Sequence, residues 1–209
     1  MQSLDRLNRE LPSRHAQYVA TISDSAHAIS LELARYILEV ASEDHAKRLL
    51  DLGSGFSSYV LRAYAAGVPG AVAWSVDDDP AWLEKTRAFL VSEGLSTEHL
   101  YNWSEFLTLG STNGPGPFDL VVHDLSTVRS RHGTIRFVLR LVRPGGALVL
   151  DDMDVGAYRR HVRSELDAAS ATHVDIRNKT LDSRNRYSWL ARPTSAPGES
   201  SFVLGADAL

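Results

Sequence analysis

A chain of 209 residues, 44% hydrophobic and 23% charged, is long enough for one domain with a substantial core. Its formal charge of −4 supplies no global basic field for nucleic acid or anionic lipid, and the absence of cysteine excludes disulfides, thiolate metal sites and cysteine nucleophiles. No apolar run approaches the roughly 20 residues of a membrane span, and MQSLDRLNRELPSRH lacks the apolar stretch of a signal peptide, so no membrane is expected as a partner and the expected compartment is cytoplasmic.

Residues 1–47 read as an N-terminal helical cap region: a polar lead-in, then a helix that Asp24 caps and that runs to about Ala41, with Ile29, Leu33, Ile37 and Val40 as its apolar stripe. Arg48 to Leu52 reads as a strand entering the turn DLGSG. A helix from Ser57 to Ala66 follows, stopped by Gly67, and then a strand from Ala71 to Val76. Asp79 and Pro80 form a cap and first-turn proline, opening a helix that Gly94 ends. A short strand fits His99 to Trp103, STNGPGP is a loop, and Phe118 to Val122 is a fourth strand. Thr134 to Val142 reads as a helix closed by RPGG, Ala147 to Leu150 as a strand, and Val155 to Ala169 as a helix. Two late strands, Thr172 to Arg177 and Arg186 to Ala191, have no helix expected between them and suit an antiparallel pair at one edge.

Strands alternating with helices imply an α/β fold, a Rossmann-like doubly wound sheet that is mostly parallel with an antiparallel edge strand and helices on both faces. A single domain over residues 1–192 is expected, with 193–209 as a loose C-terminal tail in which Phe202 to Leu204 could dock. In such folds ligands bind at the carboxyl ends of strands near a switch in strand order.

The turn RLLDLGSGFSSYVL raises a specific question of ligand. A dinucleotide site needs a third glycine where Ser58 stands, and Asp51 would meet an approaching phosphate with like charge. S-adenosylmethionine has no phosphate, and its ammonium suits a carboxylate, while Gly53 and Gly55 let the backbone pass close to a ligand. The next strand, AVAWSVDDDP, ends on Asp77 and Asp78, carboxylates placed to accept ribose hydroxyls.

DLGSGFSS, SVDDDPAWLEKTRAFL, FDLVVHD and LVRPGGALVLDDMD together resemble, in order and spacing, the class I S-adenosylmethionine-dependent methyltransferases, over roughly Arg48 to Asp154 plus the edge pair. The resemblance implies S-adenosylmethionine as cofactor, with Asp51, Gly53, Ser54 and Gly55 by its methionine end, Asp77 and the adjacent Asp78 at the ribose, Trp103 and Ser104 near the adenine, and Asp124 facing the sulfonium and the acceptor.

Asp124 and the pair Asp151 and Asp152 end neighbouring strands, and three carboxylates near one point repel unless something positive joins them. Here the chain resembles the metal-dependent small-molecule O-methyltransferases of catechol and caffeoyl-coenzyme A type. The resemblance implies a magnesium ion (Mg2+) held by Asp124, Asp151 and Asp152. Two residues depart from that family: its Asn is Asp152 here, and its lysine, three residues after the first Asp, is Thr127.

The expected reaction is methyl transfer to a small-molecule acceptor, most naturally an oxygen nucleophile, with Asp124 and His132 as catalytic candidates and His27 and His161 as further ones. His123, next to Asp124 on a strand, points to the opposite face and is expected to pack. Arg129, Arg131 and Arg136 are read as a solvated helix entrance or, alternatively, as offering one fork to an anionic substrate group. Tyr187 and Trp189 read as edge packing. The rivals are an aminopropyltransferase-like enzyme on the same fold and a non-catalytic partner subunit. Nucleic acid is not expected as a partner, because HDLS lacks the Pro-Pro-aromatic signature of base-methylating enzymes. Only the N-terminal region and the Leu125 to Gly133 loop are available to cover the acceptor, so a lid from a second copy, in a homodimer, is the alternative to an exposed acceptor.

Overall fold

The computed structural model describes residues 2–110 and 116–194. Two helices, α1 (Gln2–Thr21) and α2 (Leu31–Glu43), precede β1 (Arg48–Leu52), α3 (Phe56–Gly67), β2 (Val72–Asp77), α4 (Pro80–Ser92), β3 (Leu100–Asn102) and α5 (Trp103–Gly110). After them come β4 (Phe118–His123), α6 (Val128–Leu141), β5 (Val142–Leu150), α7 (Gly156–Ala168), β6 (Thr172–Asp175), α8 (Arg177–Thr180) and β7 (Trp189–Arg192). The expected tail beyond Thr194, with Phe202 to Leu204, and most of the STNGPGP loop lie outside the described residues. No helix among the described residues is long and apolar enough to cross a membrane.

Seven strands form one sheet in the order β3-β2-β1-β4-β5-β7-β6. β1 to β5 pair in parallel, and β7 runs antiparallel to both β5 and β6. The order reverses between β1 and β4, so the carboxyl ends of these two strands flank the crevice. Strand alternation divides the core. Leu49, Leu120 and Val149 face a cluster built with α1 to α4, while Leu50, Val121 and Leu148 face one built with α5 to α7.

Five local expectations are corrected. The polar lead-in is the 20-residue helix α1, which buries Leu7, Leu11 and Tyr18 despite Pro12 in its interior. Each buried leucine there contributes roughly 1.5–3 kcal/mol, which is what holds an otherwise polar helix on the domain. Asp24 caps only a turn, accepting from Ala26 N and His27 N, and Ser30 is the cap of α2. Thr127, not Thr134, starts α6, its Oγ1 accepting from Ser130 N at 3.3 Å. The segment RPGG extends β5 instead of closing a helix, and α8 lies between the two late strands. Asp79 caps α4 as its sequence indicates, accepting from Ala81 N at 2.8 Å with Pro80 in the first turn.

Candidate active site

The carboxyl ends of β1, β2, β4 and β5 open into one cavity of about 450 Å³, walled also by Ala26 and His27 from the α1–α2 connection and by Ser126, Thr127 and Val128. That volume suits a small-molecule site. Both chain segments expected to cover an acceptor therefore contribute to its wall.

On one side lies the glycine turn. Gly53 holds φ +102°, and a Cβ there would stand 2.3 Å from the Asp124 carbonyl oxygen. Only glycine lets the exit of β1 run this close to that of β4. The turn is fixed by Gly53 N donating to Val76 O at 2.8 Å and Asp124 N donating to Leu52 O at 2.7 Å. Gly53 and Ser54 line the cavity, whereas Asp51 and Gly55 are not part of its wall. Asp51 is fully buried, and its Oδ2 accepts from Ser57 Oγ at 2.9 Å and Ser58 Oγ at 2.6 Å. Its Oδ1 has no partner among the described residues, and burial pushes the carboxyl up to about 7 against the pull of the two serines. An unpaired buried oxygen is a costly feature unless a donor arrives, and a ligand ammonium is such a donor. The Tyr18 hydroxyl, also buried and unpaired, stands 3.2 Å from the position a Cβ would take on Gly55.

Asp77 and Asp78 line the cavity next to this turn. The Oδ2 of Asp77 accepts from Ser54 N at 2.6 Å and Ser54 Oγ at 2.7 Å, and its Oδ1 accepts from Asp79 N at 3.0 Å. Oδ1 thus keeps a lone pair for a hydroxyl, and Oδ2 gains one if the Ser54 hydroxyl turns to Thr86 Oγ1, 3.1 Å away. Burial raises the Asp77 carboxyl, and the hydrogen bonds from Asp79 and Ser54 oppose that shift. Trp103 and Ser104 stand apart from the cavity. Trp103 opens α5 with its indole packed on Phe106 and Phe137, and Ser104 Oγ donates to Asn102 Oδ1 at 2.7 Å. Trp82 does line the cavity, its Nε1 donating to Ser54 O at 2.7 Å.

On the other side all three aspartates line the cavity, and a side chain joins two of them. Arg131 Nη2 lies 2.6 Å from Asp124 Oδ1, and its Nη1 lies 2.7 Å from Asp152 Oδ2. Arg131 Nε donates to Leu125 O at 3.1 Å and Nη2 to Ser126 O at 3.1 Å. Asp151 turns to the sheet edge instead, Oδ1 accepting from Ser188 Oγ at 2.8 Å. Burial pushes Asp124 well up, against the pull of Arg131 and with Asp151 and Asp152 adding to the push. Asp151 rises to about 6 through burial and then Asp152. Burial and mutual repulsion thus favour the protonated form at Asp124 and Asp151.

This arrangement lends the expected magnesium site no support. One oxygen of Asp124 and one of Asp152 are already held by a guanidinium, whose charge repels a second cation beside it. Among the described residues no group of three or more His, Asp or Glu is set to hold a metal. Thr127, at the position of the family's lysine, caps α6.

The histidines also sort differently from expectation. His132 lies outside the cavity wall, stacked on Tyr158 at 5.2 Å and His161 at 4.6 Å, and His161 Nε2 meets His132 O at 3.0 Å. His27 does line the cavity, its Nδ1 2.9 Å from Asp24 Oδ2, which leaves Nε2 for another partner. His123 packs as expected. Its Nε2 lies 2.9 Å from Thr134 Oγ1, and burial, then Arg131, press its pKa down to about 3. Arg129 is exposed and Arg136 pairs with Glu165. Tyr187 packs beneath Arg177 and Trp189 against His173.

Sequence reasoning passed over Arg186 and Trp82, which line the cavity, and Tyr18, which is buried beside Gly55. Arg186 lines the cavity and ties the α1–α2 connection to the sheet edge, donating to Ala26 O at 3.0 Å, Ser25 O at 3.1 Å and Asp182 Oδ2 at 2.8 Å. The available signal for Trp82 was an aromatic in the first turn after DDDP. For Tyr18 it was the spacing of Leu4, Leu7, Leu11 and Tyr18.

No protein-family model matches the chain, and neither does any curated protein sequence. Solved structures do match. The O-methyltransferase TomG from Streptomyces achromogenes, involved in tomaymycin synthesis and in complex with S-adenosylmethionine, is 19% identical with a TM-score of 0.64, over 89% of this chain and 90% of that one. An O-methyltransferase from Bacillus cereus in complex with S-adenosylhomocysteine is 14% identical with a TM-score of 0.58, over 91% of this chain and 90% of that one. A Podospora anserina methyltransferase bound to S-adenosylhomocysteine is 13% identical with a TM-score of 0.63, over 86% of each chain. With the sheet order and the switch point between β1 and β4, these likenesses identify the architecture: the chain has the Rossmann-like fold of the class I S-adenosylmethionine-dependent methyltransferases.

Proposed function

We propose that the chain transfers the methyl group of S-adenosylmethionine to an oxygen of a small-molecule acceptor. The observation that carries this reading is the convergence on one cavity of Gly53, Ser54 and Asp77 on one side and Asp124, Arg131 and His27 on the other. The solved structures similar in fold include O-methyltransferases bound to S-adenosylmethionine or its product, which supports the same choice.

The cofactor, when bound, supplies an electrophilic methyl carbon on a positive sulfur. The chain's residues supply placement and proton transfer. Gly53 and Ser54 pass their backbone along the methionine end, Asp51 Oδ1 offers its unused lone pairs to the ammonium, and Asp77 receives the ribose. His27 takes the acceptor's proton on Nε2, with Asp24 holding the opposite ring nitrogen. Held deprotonated, the acceptor oxygen would bond to the methyl carbon and displace sulfur with its electron pair, the proton resting on His27 Nε2. Alignment supplies most of the rate.

A second reading, aminopropyl transfer to a polyamine, draws on the acidity of the wall, where Asp77, Asp78, Asp79, Asp124, Asp151 and Asp152 face two arginines. One assay separates the two. The protein is incubated with methyl-labelled S-adenosylmethionine and a panel of phenols, catechols and hydroxylated heterocycles, and in parallel with the decarboxylated cofactor and polyamines. Labelled methyl ether with S-adenosylhomocysteine supports methyl transfer; methylthioadenosine appearing only in the second arm replaces it with the other reading.

A further inference from the structure

We propose that Arg131 is this site's built-in cation: its guanidinium stands where a divalent ion would join Asp124 and Asp152 and offers its remaining Nη1 proton to the acceptor's oxygen, so that methyl transfer needs no metal. The inference rests on the methyl-transfer reading for its catalytic half, while its structural half stands on geometry alone. Nε of Arg131 donates to Leu125 O, Nη2 to Ser126 O and Nη1 to Asp152 Oδ2, and Nη2 pairs with Asp124 Oδ1 at 2.6 Å. The other Nη1 proton has no acceptor among the described residues, on a side chain that lines the cavity and is only 6% exposed.

The surroundings are built to hold this fork. Ser126 and Asp152 both adopt left-handed backbone, at φ 48° and 57°, and each supplies an oxygen to Arg131. Non-glycine residues keep that conformation only where the surrounding contacts impose it. The register of β4 with β5, His123 beside Leu150, sets Asp124 and Asp151 level at the two strand ends, and the left-handed turn at Asp152 brings the next carboxylate back to the guanidinium. Thr127 caps the helix that carries Arg131, fixing where its stem begins. A planar, permanently charged fork reproduces a dication's bridging of two carboxylates without its loss to chelators. Arg131 is on this account a positioning residue for Asp124 and Asp152 and a hydrogen-bond donor to the acceptor.

The test removes the cation and asks whether a metal takes its place. Full-length wild-type protein and the variants Arg131→Met and Arg131→Lys are stripped with chelator, exchanged into plain buffer and titrated with manganese, read by electron paramagnetic resonance and by thermal unfolding. Wild type and Arg131→Lys are expected to bind manganese no better than the bulk surface. Arg131→Met is expected to bind an order of magnitude more tightly and to be raised in melting temperature by the ion, and Asp152→Asn on that background abolishes the gain. If Arg131→Met is unfolded without metal, refolding on manganese addition is the same positive result. Saturable binding by wild type that Asp152→Asn removes would overturn the proposal, as would an Arg131→Met chain, folded or not, that ignores manganese. S-adenosylhomocysteine titrated into the same wild-type sample separates this outcome from a failure of the methyl-transfer reading.

Discussion

A Cβ on Gly53 would lie 2.3 Å from the Asp124 carbonyl oxygen, so the glycine turn and the strand end that carries Asp124 are fitted to each other through backbone alone. Gly53→Ala is therefore expected to lose about 2–4 kcal/mol of stability in chemical denaturation, from steric overlap added to a strained φ. Gly94 gives the control: at φ +69° with nothing within 4 Å, its alanine variant carries the backbone strain alone and is expected to lose about 1 kcal/mol. Equal losses at the two positions would contradict the close fit.

On the proposed reading, the Asp51 carboxyl, raised to about 7 by burial, would make cofactor affinity depend on pH. Below that value the free protein holds a proton there, and an ammonium-bearing ligand must displace it. Affinity for S-adenosylhomocysteine is thus expected to rise between about pH 5.5 and 7.5, by up to tenfold per unit on the acid side. Calorimetry across that window checks it. Asp51→Asn is expected to bind more weakly and with a flat profile, and a flat profile in wild type would remove Asp51 from ligand binding.

His123 makes stability, not affinity, depend on pH. Its pKa is pressed down to about 3, so only the unfolded chain takes up its proton as pH falls through the ordinary histidine range. The stabilisation it provides is complete above about pH 6.5 and declines toward pH 3, at up to about 1.4 kcal/mol per unit. Asp51 and Asp151, raised in the fold, offset part of this in the total, so the readout is a difference. Urea unfolding of wild type and His123→Gln at pH 7 and pH 4.5 is expected to show the smaller acid loss in the variant. Equal losses would mean His123 is not held neutral.

His27 is the histidine on the cavity wall, with its Nδ1 2.9 Å from Asp24. As proton acceptor it is worth roughly 10²–10⁴ in turnover. His27→Gln is expected to lower kcat in that range with little change in S-adenosylhomocysteine affinity, and Asp24→Asn to lower it less. Substitution of His132, stacked on Tyr158, is expected to leave kcat near wild type. A larger loss at His132 than at His27 would reverse the assignment.

Much of the fold was legible because β1, β2, β4 and the second half of β5 are mostly apolar and α4 begins with an unambiguous cap and proline. Helix α1 was not, since its buried residues are sparse among charges and Pro12 sits among them. In the site, Gly53, Asp77 and Asp124 could be read because each ends a strand. The role of Arg131 could not. It depends on a helix beginning at Val128 and on left-handed backbone at Ser126 and Asp152, neither of which local sequence dictates. Sequence showed that three carboxylates near one point needed a positive partner, and the chain itself supplies one to Asp124 and Asp152.

The central claim is the cofactor site, and calorimetric titration of S-adenosylhomocysteine into the purified chain, with and without chelator, tests it most directly. The account predicts micromolar binding that chelator leaves unchanged and that Asp77→Ala weakens by about tenfold or more, as expected for loss of a hydrogen bond to a charged group. Failure of wild type to bind in either buffer, with the protein folded, would contradict it.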